Sequence, residues 1–375
     1  MDVQGAPAAQ HMMRVAFRAD ASVEMGTGHI MRCLTLADAL RAHGAHCSFI
    51  CREHPGNLIA LIQQRGFAVH ALAGVATHHP SATEPAHAAW LGADWRHDAQ
   101  QCGAVMGADG VDWLIVDHYA LDQNWERALR SQARRIMVVD DLADRPHDCD
   151  LLLDQNWFGE LTALRYQERV PAECQCCLGP RYALLKPEYA QWRQQRERVD
   201  GAVRRVLVFL GGSDPSNQTL KALHALMQPD FAELAVDVVL GPNHPDVSGV
   251  KAAASIRANT IVHQALPSLA ALMVSADLMI GAGGSTTWER MCLGLPALVV
   301  SIADNQTPIN TALAHDGYIQ YLGEMSQVTA ETISDALRWS LRHPEALLRQ
   351  SRMGQALVSG EGASALCQLL LQPRD

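Results

Sequence analysis

The sequence predicts two successive α/β domains, each a parallel sheet covered on both faces by helices. Three observations carry this expectation. Short β-rich runs alternate with longer helical stretches, and the alternation restarts once in mid-chain. The restart follows residues 192–205, where the composition shifts to Gln, Arg and Glu, as in an exposed helix and linker. At 375 residues the chain is long enough for two domains of roughly 100–200 residues each.

Element by element, the first domain (residues 13–195) opens with Val15-Ala16-Phe17, a glycine loop, and a helical pattern over 29–42. Cys47-Ser48-Phe49-Ile50-Cys51 precedes a helix over 58–65, and Trp113-Leu114-Ile115-Val116 precedes one over 125–132. Ile136-Met137-Val138-Val139 and Leu151-Leu152-Leu153 add two strands. In the second domain (203–328), Val206-Leu207-Val208-Phe209-Leu210 runs into a glycine turn. Strands follow at 236–240, 260–263, 278–281 and 297–301. From residue 329 to the end the pattern is helical, a tail expected to pack across both domains with Leu337, Leu341, Leu347, Leu348 and Leu357 as apolar contacts. Residues 75–93, rich in Ala, His and Pro, read as a surface loop, with His78, His79, His87 and the nearby His97 solvated.

Composition narrows the function. The longest apolar runs, such as 295–302, fall far short of the roughly 18 residues of a membrane-spanning helix. A net charge of −10 without Lys/Arg blocks disfavours nucleic acid. It leaves room for a small anion held by backbone amides at a helix start. Residues 1–12 have neither a basic residue nor an apolar segment, so no secretory signal is read there and a cytoplasmic location is expected. Of ten cysteines, Cys174, Cys176 and Cys177 form the only tight cluster, and no second pair at matching spacing accompanies it. The run His147-Asp148-Cys149-Asp150 leads into a strand, where alternate side chains face opposite ways. No metal site and no cofactor are expected.

In open parallel sheets, ligands bind at the carboxyl ends of strands. After Phe17 come Arg18, Ala19 and Asp20, then Gly26-Thr27-Gly28-His29. His29 falls in the first turn of a helix, where the dipole disfavours imidazolium, so it suits a general base. A histidine that caps the helix or satisfies a loop carbonyl is the other reading. The third glycine of the dinucleotide fingerprint is replaced by Met31, which disfavours NAD. Asp117 and Tyr119 follow the strand at 113–116. Tyr119 either orients a sugar hydroxyl or makes a loop hydrogen bond.

In the second half, Gly281-Ala282-Gly283-Gly284-Ser285-Thr286-Thr287-Trp288-Glu289 reads as a strand end, a tight turn, a Ser/Thr cap and a helix start. Free amides there would suit a phosphate pair, and Glu289 either accepts from a ribose diol or complements the dipole. Residues 211–217 form a second glycine turn ending in Asn217, without the Gly-Lys-[Ser/Thr] element of a Walker loop. Asp304-Asn305-Gln306 follows the strand at 297–301 and either reaches a ligand or caps the next helix.

Taken in order, Phe17-Arg18-Ala19-Asp20, residues 26–32, Val116-Asp117-His118-Tyr119, Asp140-Asp141, residues 210–217, residues 281–289 and Asp304-Asn305-Gln306 resemble the UDP-2,4-diacetamido-2,4,6-trideoxy-β-L-altropyranose hydrolase family of pseudaminic acid synthesis. The match runs over residues 13–323 and leaves out any fused acetyltransferase domain. It implies a GT-B architecture, two Rossmann-like domains facing a cleft, shared with the UDP-N-acetylglucosamine transferase of peptidoglycan synthesis. It also implies His29 as the base, Tyr119 and Asn305 as sugar-side residues, and Glu289 as ribose ligand. The turn Gly283, Gly284, Ser285 and Thr286 would hold the pyrophosphate, with Asp20 and Asn217 in matching segments as further substrate contacts. The partner implied is a UDP-linked diacetamido-trideoxy sugar, hydrolysed with inversion and without metal. A glycosyltransferase of the same architecture, a hydrolase acting on another UDP-dideoxy sugar, and a non-catalytic sugar-nucleotide sensor are the alternatives. Oligomeric state is not predicted.

Overall fold

Seven parallel strands form the first sheet of the computed structural model, which describes residues 12–74, 84–195, 200–212, 214–264 and 266–372. In chain order its elements are β1 (Arg14–Ala19), α1 (Gly28–Ala42), β2 (His46–Arg52), α2 (Ile59–Gln64), β3 (Ala68–Leu72), α3 (Trp95–Met106), β4 (Val111–Asp117), α4 (Gln123–Ala128), β5 (Ala133–Val139), β6 (Leu151–Asp154) and β7 (Gln175–Leu178). The spatial order is β3-β2-β1-β4-β5-β6-β7. Expectations for residues 1–11, His78, His79, Ser213 and part of the linker lie outside the described residues.

The second sheet has six parallel strands in the order β10-β9-β8-β11-β12-β13. Its unit comprises α5 (Pro187–Gln195), β8 (Arg205–Phe209), α6 (Gln218–Leu226), β9 (Ala235–Leu240), α7 (Val247–Ile256), β10 (Thr260–Gln264), α8 (Ala270–Ser275), β11 (Leu278–Ala282), α9 (Thr286–Cys292), β12 (Ala297–Ser301), α10 (Gln306–His315), β13 (Gln320–Glu324), α11 (Ala330–Arg342) and α12 (Pro344–Leu357). The last helix, α13 (Gly362–Leu371), groups with the first sheet from Ala363 onward. No helix among the described residues is long and apolar enough to cross a membrane.

Burial on both sheet faces explains the apolar strand runs. Val206 and Val208 enter one cluster with Leu278 and Ile280, while the alternate residues Leu207 and Met279 enter another with Trp288 and Leu313. In the first unit Ala16, Ile50, Leu114, Val116, Ile136 and Leu152 share a core with Trp125 and Leu129. α13 is tied down by Leu366 and Leu370, both fully buried, and by the Trp113 indole N–H, which donates to the Leu370 carbonyl at 3.0 Å.

The chain crosses between units more than once. Gln155–Leu164 and Gly179–Gly362 form the second unit, and Arg165–Leu178 returns to the first. The reason for the early crossing is apolar: Ala183, Leu185 and Tyr189 are buried with Leu207 and Trp288, so α5 packs with the second sheet. Within the helical tail, Leu337 and Leu347 are buried, whereas Leu341, expected as an apolar contact, is exposed.

Candidate active site

Both sheets wind outward from their first strand in two directions, so each has a switch point, β1/β4 in one and β8/β11 in the other. Ala19 pairs with Asp117, and Phe209 with Gly281. The loops that follow these four strands carry most of the residues singled out from sequence.

β1 leads through a tight loop into α1. Ser22 Oγ accepts from the Glu24 and Met25 amides, and the Gly26 amide donates to the Ser22 carbonyl at 2.9 Å. Gly26 has φ +73°, a conformation a side chain would strain. The turn delivers His29 one residue into α1, where its ring is buried to 6% exposure.

His29 Nδ1 lies 2.6 Å from Asp117 Oδ1. Since a carboxylate only accepts, Nδ1 carries the proton, and Nε2 is left as the basic nitrogen with no partner among the described residues. Arg32, one turn along α1, grips the same carboxylate with two bonds, Nε to Oδ2 and Nη2 to Oδ1, both 2.6 Å. Burial would raise the Asp117 carboxyl, but Arg32 and then His29 outweigh it and hold it well below the usual range. Asp117 is thus a fixed anion behind the imidazole. Arg32 Nη1 also donates to Asp141 at 2.7 Å, and Asp141 accepts from the Tyr119 hydroxyl at 2.5 Å. The Tyr119 ring meets His29 edge-on, centroids 4.6 Å apart. Burial, then Asp141, raises its phenol well above the ordinary value, so Tyr119 is neutral.

Asp20, expected to touch substrate, is fully buried and engaged by protein groups. Its Oδ1 takes the Arg52 amide at 2.7 Å and pairs with Arg18 Nη1 at 2.7 Å. Its Oδ2 faces His118 Nε2 at 3.2 Å and His54 Nε2 at 3.5 Å. His118 Nδ1 accepts from the Ala120 amide, so its Nε2 bears the proton toward Asp20. Arg18 also makes two bonds to Asp98, which accepts from Arg52 and from the Trp125 indole. This ionic knot fixes the ends of β1, β2 and β4, and Asp20 belongs to it as a positioning residue rather than a ligand.

Residues 84–93 hold a correction. They include a 3₁₀ turn, Ala88–Leu91, anchored by buried Ala88 and Leu91. His87, expected to be solvated, packs edge-on to Trp90 at 4.5 Å and to Tyr119 at 5.5 Å. Burial lowers its pKa, so the ring is neutral. His97 is exposed, as expected.

In the second unit, Gly283 is buried where a Cβ would come within 2.7 Å of Asn310 Nδ2, and Gly284 has φ +94°. Both positions require glycine. Gly284 and Ser285 are exposed and Thr286 half-buried at the start of α9; the Thr287 and Trp288 amides donate to the Gly284 and Ser285 carbonyls at 3.0 and 3.1 Å, while those of Gly284, Ser285 and Thr286 have no acceptor among the described residues. Arg290 lies fully buried behind this turn, donating to the Ala282 carbonyl at 3.0 Å and to Thr287 Oγ1 at 2.9 Å. Burial pulls its guanidinium down to about 9, which leaves it charged at neutral pH. Glu289 is half-buried; burial raises its carboxyl, opposed by a hydrogen bond from Tyr189.

Asn305 is exposed at the N-cap of α10 and makes no side-chain cap bond, while Gln306 Oε1 accepts from the Ile302 amide at 3.0 Å. Asn217, expected as a substrate contact, is spent on the fold: φ is +49°, Oδ1 accepts from the Leu220 amide at 3.3 Å, and Nδ2 donates to Asp246 at 3.3 Å. Asp214 is buried, accepting from the Gln218 and Thr219 amides at 2.8 Å each.

Among the described residues no group of three or more His, Cys, Asp or Glu is arranged for a metal ion. His147 is buried against Glu126 at 2.7 Å, and the ten cysteines are free thiols. The sequence reading missed the two-handed role of Arg32, the anchoring of Tyr119 by Asp141, the buried Arg290, and Trp90. Only Arg32 had a local signal, one helical turn after His29.

No protein-family model matches the chain. An uncharacterised protein of Methanocaldococcus jannaschii is 22% identical over 89% of this chain, which spans 63% of that protein's length. The UDP-2,4-diacetamido-2,4,6-trideoxy-β-L-altropyranose hydrolase of Campylobacter jejuni is 25% identical over 82% of this chain and 98% of its own. Among solved structures, Acinetobacter baumannii MurG superposes with a TM-score of 0.65 at 15% identity, covering 96% of this chain and 99% of that one. The likeness shows the fold: this is a GT-B chain, two doubly wound units with a helical C-terminal stretch.

Proposed function

We propose that this chain, a relative of the UDP-2,4-diacetamido-2,4,6-trideoxy-β-L-altropyranose hydrolases built on the GT-B fold, uses water to cleave the anomeric C–O bond of a UDP-linked diacetamido-trideoxy sugar. The observation that carries the reading is the His29–Asp117 pair, with Nδ1 fixed as the donor and Nε2 open at the switch point of the first sheet.

His29 Nε2 takes a proton from water as the oxygen attacks the anomeric carbon opposite the nucleotide. The anomeric C–O bond breaks, its electron pair leaves with UDP, and the configuration inverts. The proton stays on the imidazole, whose new charge faces the Asp117 carboxylate. Tyr119 and Asn305 are assigned to the sugar. Gly284, Ser285 and Thr286 are assigned to the pyrophosphate through their amides and Gly283, whose own amide donates to the Val300 carbonyl, to the close approach of the backbone in the same turn, with the Arg290 cation behind it and Glu289 assigned to the ribose diol. Ordinary glycosidases also need an acid for a poor leaving group. UDP leaves without one, so a single base suffices and no metal enters.

Turnover in ¹⁸O-water tests the bond. The label is expected in the free sugar; label in UDP would refute attack at carbon. The GT-B neighbours also suit a glycosyltransferase, which would hand the sugar to an acceptor. Release of UDP in buffer without an acceptor separates the two.

A further inference from the structure

Beyond Tyr119, the base is bordered by two rings that the reaction scheme does not use, Trp90 and His87. From His29 the surface continues to Tyr119, edge-on at 4.6 Å, and from Tyr119 to Trp90, stacked at 6.0 Å with 28° between planes. His87 closes the group, 4.5 Å from Trp90 and 5.5 Å from Tyr119. Positions i and i+3 of a 3₁₀ turn eclipse, which is why His87 and Trp90 meet. The turn is held from below by Ala88, Leu91 and Ala93, all nearly fully buried, so the two rings are carried on a fixed support.

Two features of this group are not explained by packing alone. Trp90 remains half-buried although a large indole gains most from full burial, and its N–H has no partner among the described residues. His87 Nδ1 is buried and also lacks a hydrogen-bond partner among them. A polar atom buried without a partner is costly unless a ligand satisfies it.

We propose that Trp90 and His87 form the subsite that recognises the acetamido-bearing, deoxygenated face of the sugar. The proposal rests on the hydrolase reading for the identity of the sugar. A pyranose with hydroxyls replaced by acetamido groups and a methyl in place of its hydroxymethyl offers apolar surface that an indole face covers. An acetamido carbonyl or N–H is the partner for the Trp90 N–H and His87 Nδ1. A fully hydroxylated sugar would lose hydrogen bonds to water on the same surface. The rings therefore set specificity, whereas Tyr119 and His29 serve the reacting carbon.

The test compares UDP with the UDP-diacetamido-trideoxy sugar by calorimetry, and KM with kcat, in wild type, Trp90→Leu and Trp90→Phe. Leucine keeps apolar volume without an aromatic face, so the turn stays filled. Trp90→Leu is expected to weaken the UDP-sugar about five- to tenfold while UDP binding changes less than twofold, with KM rising more than kcat falls. Trp90→Phe should recover most of that loss. Equal weakening of UDP and UDP-sugar, or no change in either, overturns the proposal. If wild type binds the UDP-sugar no more tightly than UDP, the subsite is likewise refuted. Absence of wild-type turnover would refute the hydrolase reading alone, because the calorimetric comparison still decides the subsite.

Discussion

Replacing Asp117 with Asn removes one charge from the centre of the site and changes little in size. In the folded chain this carboxylate fixes the Nδ1 proton of His29 at 2.6 Å and accepts two bonds from Arg32. An amide cannot serve both neighbours. With its NH₂ toward His29 it forces the proton onto Nε2, and the base is lost. With its oxygen toward His29 it turns an N–H against the Arg32 guanidinium. Loss of an orienting carboxylate of this kind costs on the order of 10⁴ in kcat. At about 1.4 kcal/mol per decade that is about 5 kcal/mol of transition-state stabilisation. Breaking a buried pair costs about 3–5 kcal/mol of stability. The loss here falls toward the lower end because Arg32 keeps Asp141 at 2.7 Å. Continuous UDP-release kinetics, UDP calorimetry and thermal denaturation by circular dichroism are run in parallel. The expected result is a kcat lower by 10³–10⁴, with UDP affinity unchanged and a lowered but cooperative melt. A folded Asp117→Asn protein with kcat within threefold of wild type would refute the dyad.

Further consequences follow from the other groups. Glu289→Gln is expected to weaken UDP about tenfold by removing a charged acceptor, and wild-type UDP affinity should fall on acidification as the raised Glu289 carboxyl protonates; calorimetry across pH showing no dependence would contradict the ribose assignment. Incubation with EDTA followed by desalting should leave the hydrolysis rate unchanged, and recovery of lost activity by a divalent cation would overturn the metal-free scheme. The folded pKa values of Asp20, Asp98 and Asp117 are depressed, so their stabilisation is complete above about pH 4 and is lost as pH falls through the folded values. His118, also depressed by burial, adds a loss that begins as pH drops through about 6.5. Urea midpoints should therefore decline from pH 7 to pH 3, and a midpoint that rises on acidification would contradict the buried network.

The central strands were readable because burial on both faces demands apolar runs, as in Val206-Leu207-Val208 and Leu151-Leu152-Leu153. Three strands escaped the reading: β3, β7 and β13. All three are sheet edges whose residues are mostly exposed or half-buried, so they lack the continuous run of large apolar side chains that a doubly covered strand needs, and β7 contains the Cys176-Cys177 pair that had drawn attention as a thiol cluster. β1 also runs two residues past Phe17, because Arg18 is neutralised inside the fold by Asp20 and Asp98. Chain position alone suggested His29 at a helix start. Its partner is 88 residues away, brought there by the β1–β4 pairing, a non-local fact that no periodicity encodes. The same holds for Arg290, which reads as an ordinary helix residue until its contact with the Ala282 carbonyl is seen.

Everything assigned to the first unit turns on His29 as the base of a hydrolase. Purified wild type and His29→Asn, given the UDP-diacetamido-trideoxy sugar in buffer without acceptor, test it most directly when turnover and products are followed by NMR. Wild type is expected to yield UDP and free sugar of inverted anomeric configuration. His29→Asn is expected to bind UDP normally and to turn over about 10²–10⁴-fold more slowly. A His29→Asn protein at full rate, or a wild type that releases UDP only when an acceptor is added, would contradict it.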